Sequence, residues 1–164
     1  MSNLYNDLEG LRIAVEIETR GREFYRQAYE HSAVKEEKDL FLWLMNEEIH
    51  HQTAFTNIFN KINETKEAHS AEYLFDPEVS RYLTVLAEHH VFPAGDKTKA
   101  VIAELKSIQA ILALAMQAEK DSVLFYDELA NNARFPDAKK IFGQLKAEEQ
   151  SHVVRIREMI DAWA

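Results

Sequence analysis

Six residues of this chain have the types and spacing needed to hold two metal ions. Each lies 101 positions from a counterpart of the same type, because 119 − 18 = 149 − 48 = 152 − 51 = 101. In each half, a lone glutamate is followed by an E-x-x-H pair, whose two side chains share one face of a helix. The repeat therefore indicates two equivalent ligand sets, formed by Glu18, Glu48, His51, Glu119, Glu149 and His152.

Charge and ligand chemistry favour a pair of divalent cations. Four carboxylates with two neutral imidazoles carry four negative charges, which two divalent cations neutralise. Oxygen and nitrogen ligands without thiolate suit iron or manganese, and zinc would also bind. Two alternatives are solvated E-x-x-H spacings and a buried ion-pair network without metal. Both are disfavoured, because the ligands follow apolar stripes, where unpaired carboxylates are costly, and because these stripes carry no basic residues.

The ligand register in the first E-x-x-H segment needs a choice, because residues 47–51 contain two overlapping pairs. The 101-residue offset favours Glu48 with His51. Glu47 with His50 then falls about 100° around the helix, toward solvent. No acidic partner is predicted for the ligand histidines.

Long amphipathic helices are predicted to position these ligands. Apolar residues at three- and four-residue spacing predict helix 1 from about residue 4 to 30, after the candidate caps Ser2 and Asn3. Helix 2 follows a polar break at 31–35, helix 3 runs from about Lys99 to Asn131, and helix 4 runs from about Pro136 to Ala162. The short links make each hairpin antiparallel, and the two hairpins predict an all-α four-helix bundle.

The segment between helices 2 and 3 is predicted to be a long crossover over residues 63–98. It contains a short helix that begins at Asp76-Pro77, with proline in its first turn, and ends near His90. We expect His90 and its neighbour His89 to lie at the surface, together with His31 and His69. The phenylalanines on the inward stripes are expected in the core, namely Phe24, Phe41, Phe55, Phe125 and Phe142.

Bulk composition narrows the function classes. The 164 residues suit one domain over 1–164, and four glycines and three prolines leave few helix breaks. A net charge of −9 disfavours nucleic acid as a partner. The absence of cysteine excludes disulfides and thiolate ligands from this sequence. We expect no membrane segment and a cytoplasmic location.

The six-ligand pattern and the stretches "VEIETRGREFYRQA" and "AMQAEKDSVLFYDELA" resemble the ferritin-like di-iron carboxylate proteins, in particular single-domain members of the rubrerythrin type. The resemblance covers nearly the whole chain. It implies a ferritin-like antiparallel bundle with a long crossover, two iron ions, and an oxidoreductase that reacts Fe(II) with oxygen or hydrogen peroxide. The alternative is a non-catalytic protein that stores, delivers or senses iron. Family resemblance also implies a homodimer or larger homo-oligomer, and an external electron-donor protein is a further expected partner.

Two features depart from typical rubrerythrins. The chain lacks the cysteines of their rubredoxin-like domain, and Ser122 stands where they carry an additional glutamate, so the six ligands resemble those of bacterioferritin. Gly21 is the repeat equivalent of Ser122. This small residue indicates either open space above the metals or close helix packing. Tyr25 and Tyr126 lie two turns beyond the lone glutamates. They are candidates for hydrogen bonds to the ligands and for electron supply, or are simply core tyrosines.

Overall fold

The computed structural model describes residues 4–164, which form six α-helices and no strand in that range. α1 packs along α2 and α5 along α6, and these two hairpins form the predicted bundle. The crossover over residues 64–107 contains α3, which packs on α5, and α4, which packs on α1. No helix in the described range is both long and apolar enough to cross a bilayer. The helices are α1 (Asp7–His31), α2 (Lys35–Asn63), α3 (Pro77–Glu88), α4 (Thr98–Leu105), α5 (Ile108–Asn132) and α6 (Pro136–Ala162).

The 101-residue repeat extends to the helix boundaries. Both α1 and α5 have 25 residues, and their first and last residues are each 101 apart, because 108 − 7 = 132 − 31 = 101. The starts of α2 and α6 keep the same offset, because 136 − 35 = 101. Asn6 and Ser107, again 101 apart, cap α1 and α5 by accepting hydrogen bonds from the N–H groups of Glu9 (2.8 Å) and Ala110 (3.1 Å). The two hairpins are therefore copies of one structural unit.

The prediction of one helix from Lys99 to Asn131 is wrong at its beginning. Lys106 has a φ of 58°, in the left-handed region, and it ends α4 after Leu105. Ser107 then begins α5 as its cap, because a serine side chain satisfies a free N–H at a helix start better than it continues a helix. The predicted caps of helix 1, Ser2 and Asn3, lie outside the described residues, and Asn6 is the observed cap.

Two apolar clusters fill the bundle on either side of a polar layer. On α2, Leu44 belongs to one cluster and Phe55 to the other, and Glu48 and His51 lie between them in sequence. On each of the other three long helices, residues of one apolar cluster precede the polar ligand positions and residues of the other cluster follow them. The polar layer therefore crosses the middle of the bundle. The five phenylalanines predicted for the core are fully buried: Phe24, Phe41, Phe55, Phe125 and Phe142.

Candidate metal centre

The structure brings all six predicted ligands together in the polar layer, where each is at most 1% exposed. Their donor atoms form two groups of four, and a third group joins His51 and His152 with Glu47; within each group these atoms lie within 4.8 Å of one another. Glu48 and Glu149 belong to both groups of four. The first group is Glu18, Glu48, His51 and Glu149, and the second is Glu48, Glu119, Glu149 and His152.

Three carboxylate oxygens in this layer accept no hydrogen bond from residues 4–164. They are Glu18 Oε2, Glu48 Oε1 and Glu119 Oε2. An unsatisfied buried polar group costs about 1–3 kcal/mol, and more if it is charged. No lysine or arginine is buried among residues 4–164, so the basic side chains in this layer are imidazoles. The unpaired oxygens and the mixed carboxylate and imidazole donor set therefore fit divalent cations.

Both ligand histidines direct Nδ1 toward the carboxylates. His51 Nδ1 lies 2.9 Å from Glu149 Oε1 and 3.4 Å from Glu18 Oε2. His152 Nδ1 lies 3.0 Å from the other oxygen of Glu149. The two rings are stacked, with centroids 5.4 Å apart and planes inclined by 7°. Nδ1 is therefore the nitrogen that each ring offers to a metal.

The outer nitrogens of these rings have acidic partners, contrary to the prediction. His51 Nε2 lies 2.7 Å from Glu148 Oε2, and His152 Nε2 lies 3.7 Å from Glu47 Oε2. Glu47 is only 25% exposed and so does not point fully to solvent, whereas His50 is exposed as predicted. A carboxylate in this position fixes the tautomer and the orientation of a metal-binding imidazole. The sequence contained a signal for these two partners, because Glu47 and Glu148 are also related by the repeat (148 − 47 = 101).

Two buried tyrosines cross the bundle to hold the lone glutamates. The Tyr25 hydroxyl on α1 donates to Glu119 Oε1 at 2.6 Å, and the Tyr126 hydroxyl on α5 donates to Glu18 Oε1 at 2.5 Å. Burial raises the pKa of both phenols, and the facing carboxylates raise it further, so both remain protonated donors. Each lone glutamate thus has one oxygen held by tyrosine and one oxygen free for a cation.

The two carboxyl groups in each half of the centre have pKa values shifted in opposite directions. Burial raises the pKa of Glu48 well above its ordinary value, and the charge of Glu18 raises it further. Burial also opposes ionisation of Glu18, but the interactions with Glu48, His51 and Tyr126 together outweigh it and lower the pKa of Glu18 to about 2. Glu149 and Glu119 form the equivalent pair, with a raised and a lowered pKa respectively.

The pKa values of both ligand histidines are raised. Burial lowers the pKa of each ring, but the carboxylates outweigh it. Glu18 and Glu149 together raise the pKa of His51 to about 12, and Glu119 and Glu149 together raise the pKa of His152 to about 10. A cation at this centre would compete with protons for the same groups, so metal affinity should rise with pH.

The end of the crossover also reaches the polar layer. His90, predicted at the surface, is buried, and its Nε2 lies 2.9 Å from Ser122 Oγ. A Cβ added at Gly21 would lie 2.7 Å from Glu48 Oε2 and 2.9 Å from Phe92 Cε2. Close packing is therefore the correct interpretation of Gly21, and open space above it is wrong. Local sequence could not place His90, because its position depends on the path of the whole crossover.

Comparison with known proteins agrees with this architecture. The family model described as Rubrerythrin matches residues 9–160. The structure is also similar over its full length to a crystal structure from Thermotoga maritima, with a TM-score of 0.77, 22% identity and complete coverage of both chains. That protein is itself assigned by inference to the ferritin-like diiron-carboxylate proteins. At this identity, the likeness shows the fold alone. No curated protein matches the sequence.

Proposed function

The chain belongs to the rubrerythrin family, and on this premise we propose that it is a di-iron oxidoreductase that reacts Fe(II) with oxygen or hydrogen peroxide. The observation that carries the proposal is the set of three buried carboxylate oxygens without a hydrogen-bond partner among residues 4–164. They lie among six buried ligands that divide into two overlapping groups of four. A single domain over residues 1–164 would contain the whole centre.

The six ligands divide between the two proposed ions according to these groups. Glu18 and His51 would hold the first ion, Glu119 and His152 would hold the second, and Glu48 and Glu149 would be available to both. Each half supplies one glutamate with a free oxygen and one imidazole with Nδ1 facing inward. Iron suits this oxygen-rich set, and manganese or zinc would also be accepted.

When bound, iron supplies the electrons that reduce the oxidant. The protein keeps bulk water from the layer, because every ligand is buried. Tyr25 and Tyr126 orient the lone glutamates through their hydroxyl groups. In this proposal, Tyr25 and Tyr126 have a second role: each is a phenol next to a ligand and can supply an electron.

Repeated turnover needs a source of electrons outside this sequence. The chain contains no cysteine, so it cannot hold the four-cysteine iron site that serves as donor in typical rubrerythrins. The electrons then come either from a separate donor protein or from Fe(II) itself as substrate.

Anaerobic loading followed by rapid mixing tests the proposal. Metal-free protein is loaded with two equivalents of Fe(II) and mixed with oxygen or with hydrogen peroxide, and formation of Fe(III) is followed by absorbance. We expect both oxidants to oxidise the protein at comparable rates, because Ser122 replaces the additional glutamate of typical rubrerythrins. Ser122→Glu is the matched variant, and we expect it to raise the peroxide rate relative to the oxygen rate.

Two results would count against the proposal. A protein that binds Fe(II) but oxidises it no faster than free Fe(II) in buffer would be an iron-handling protein without catalysis. A wild-type peroxide rate orders of magnitude above the oxygen rate, unchanged in Ser122→Glu, would show that position 122 does not control the choice of oxidant.

A further inference from the structure

The segment of residues 90–92, here called the strap, covers the two small residues that face the centre from α1 and α5. The Phe92 ring lies against Gly21, and His90 Nε2 lies 2.9 Å from Ser122 Oγ. The Val91 N–H donates to Asp121 Oδ2 at 3.1 Å and anchors the strap to α5. Gly21 and Ser122 are repeat-equivalent, because 122 − 21 = 101, but one meets an apolar ring and the other an imidazole.

The hydrogen bonds of the His90 ring show which group is the donor between His90 and Ser122. The Phe92 N–H donates to His90 Nδ1 at 3.2 Å, so Nδ1 is an acceptor and the ring hydrogen is on Nε2. The ring is therefore neutral, and Nε2–H donates to Ser122 Oγ. Burial lowers the pKa of His90, which agrees with a neutral ring.

The Ser122 hydroxyl has a hydrogen of its own that this interaction leaves unused. No oxygen or nitrogen of residues 4–164 other than the His90 ring forms a hydrogen bond with it, and Ser122 is only 2% exposed. Buried hydroxyl donors ordinarily find an acceptor. A donor of this kind, in the polar layer, indicates a hydrogen-bond acceptor that is a guest rather than part of the protein.

The internal repeat shows where that guest would lie. Gly21 is so close to Glu48 that an added Cβ would be 2.7 Å from Oε2. By the 101-residue offset, Ser122 is on the side of Glu119 and Glu149; because it carries a Cβ, it cannot approach Glu149 as closely as Gly21 approaches Glu48. The Gly21 side presents the Phe92 ring and the Glu48 carboxylate to a guest. The Ser122 side offers a directed O–H group.

We propose that Ser122, oriented by His90, donates a hydrogen bond to a small oxidant or anion bound in the centre, on the side of Glu119 and His152. The guest is of the class of hydrogen peroxide, with azide as its stable analogue. This inference rests on the proposed di-iron centre. It makes Ser122 a binding residue and His90 the residue that positions it.

Azide titration of the Fe(III)-loaded protein tests the inference without measuring turnover. Metal content is counted first by elemental analysis, and the azide dissociation constant is then taken from its charge-transfer absorption. We expect Ser122→Ala to keep two ions and to bind azide about 10- to 100-fold more weakly, the range for loss of one hydrogen bond to a charged group. Ser122→Thr, which keeps the hydroxyl, should stay within about threefold of wild type. His90→Phe should weaken azide binding, and His89→Gln, a change at an exposed neighbour, should not.

The outcomes separate this inference from the proposed function. A wild-type protein that takes up no metal would refute the di-iron proposal, and this inference with it. Two ions in Ser122→Ala with an unchanged azide dissociation constant would overturn the role of Ser122 alone. Loss of metal from Ser122→Ala would also overturn it, because the hydroxyl would then serve assembly of the centre. Azide binding unaffected by His90→Phe would overturn the positioning role of His90.

Discussion

Replacing Gly21 by alanine tests how rigidly the bundle holds the shared ligand Glu48. The new Cβ would lie 2.7 Å from Glu48 Oε2 and 2.9 Å from Phe92 Cε2. Neither neighbour is free to retreat, because Glu48 is enclosed in the polar layer and the Phe92 ring packs against Phe24 and Tyr25. Overpacking costs about 1–3 kcal/mol, whereas glycine to alanine in a helix gains about 1 kcal/mol. We expect the metal-free variant to lose up to about 2 kcal/mol of unfolding free energy.

Gly143→Ala is the matched control, because an added Cβ there meets no atom within 4 Å. It should gain up to about 1 kcal/mol from helix propensity alone. Urea unfolding of the metal-free proteins measures both changes, and competition with a chelator measures Zn(II) affinity. Since Glu48 belongs to both ligand groups, Gly21→Ala should weaken binding of both ions. Equal stability of the two variants, together with unchanged Zn(II) affinity in Gly21→Ala, would refute this reasoning.

Three further predictions concern the surroundings of the centre. Glu148→Gln should lower metal affinity about tenfold, and Glu47→Gln should lower it by less. The reason is distance, because Glu148 lies 2.7 Å from the His51 ring whereas Glu47 lies 3.7 Å from the His152 ring. Equal losses of affinity in chelator competition would contradict this. The raised pKa values of His51 (about 12) and His152 (about 10) stabilise the metal-free fold fully below pH 6.5, and this stabilisation is lost progressively as pH rises through about 10 for His152 and about 12 for His51. The Tm of the metal-free protein should therefore fall over that range while that of the Zn(II)-loaded protein holds, and parallel curves would argue against it. Trp43 lies edge-on to His152, with ring centroids 5.2 Å apart. Loading with Co(II) should therefore quench the fluorescence of Trp43. Quenching that survives Trp43→Phe would show that the other tryptophan reports the metal.

Repetition within the sequence was the strongest source of correct prediction. A constant offset of 101 residues selects the six residues that the structure buries together, without any knowledge of tertiary structure, since two copies of one unit bury equivalent positions. The same offset, applied to Asp7, gives Ile108 as the first residue of α5. The continuous apolar pattern after Lys99 obscured that boundary, because periodicity does not register a single left-handed residue such as Lys106.

Features that depend on the crossover could not be predicted in this way. The crossover has no counterpart in the repeat, so nothing in the sequence indicates that His90 and Phe92 reach opposite halves of the centre. Their burial follows from the packing of α3 on α5 and from the hydrogen bond by which Asp121 of α5 anchors the strap. Hydrogen bonds from Tyr25 and Tyr126 to the ligands were one of the alternatives that the sequence offered. The sequence did not show that each tyrosine reaches the glutamate of the other half of the bundle, because this depends on the tertiary structure.

Counting Fe(II) ions in the anaerobically loaded protein and in two ligand variants tests the two-ion centre most directly. Wild type should saturate at two ions per chain. Glu18→Ala should weaken one ion more than the other, because Glu18 belongs to a single ligand group, whereas Glu149→Ala should weaken both, because Glu149 is shared. A wild-type stoichiometry of one or none, or variants that lose the same ions, would contradict the account.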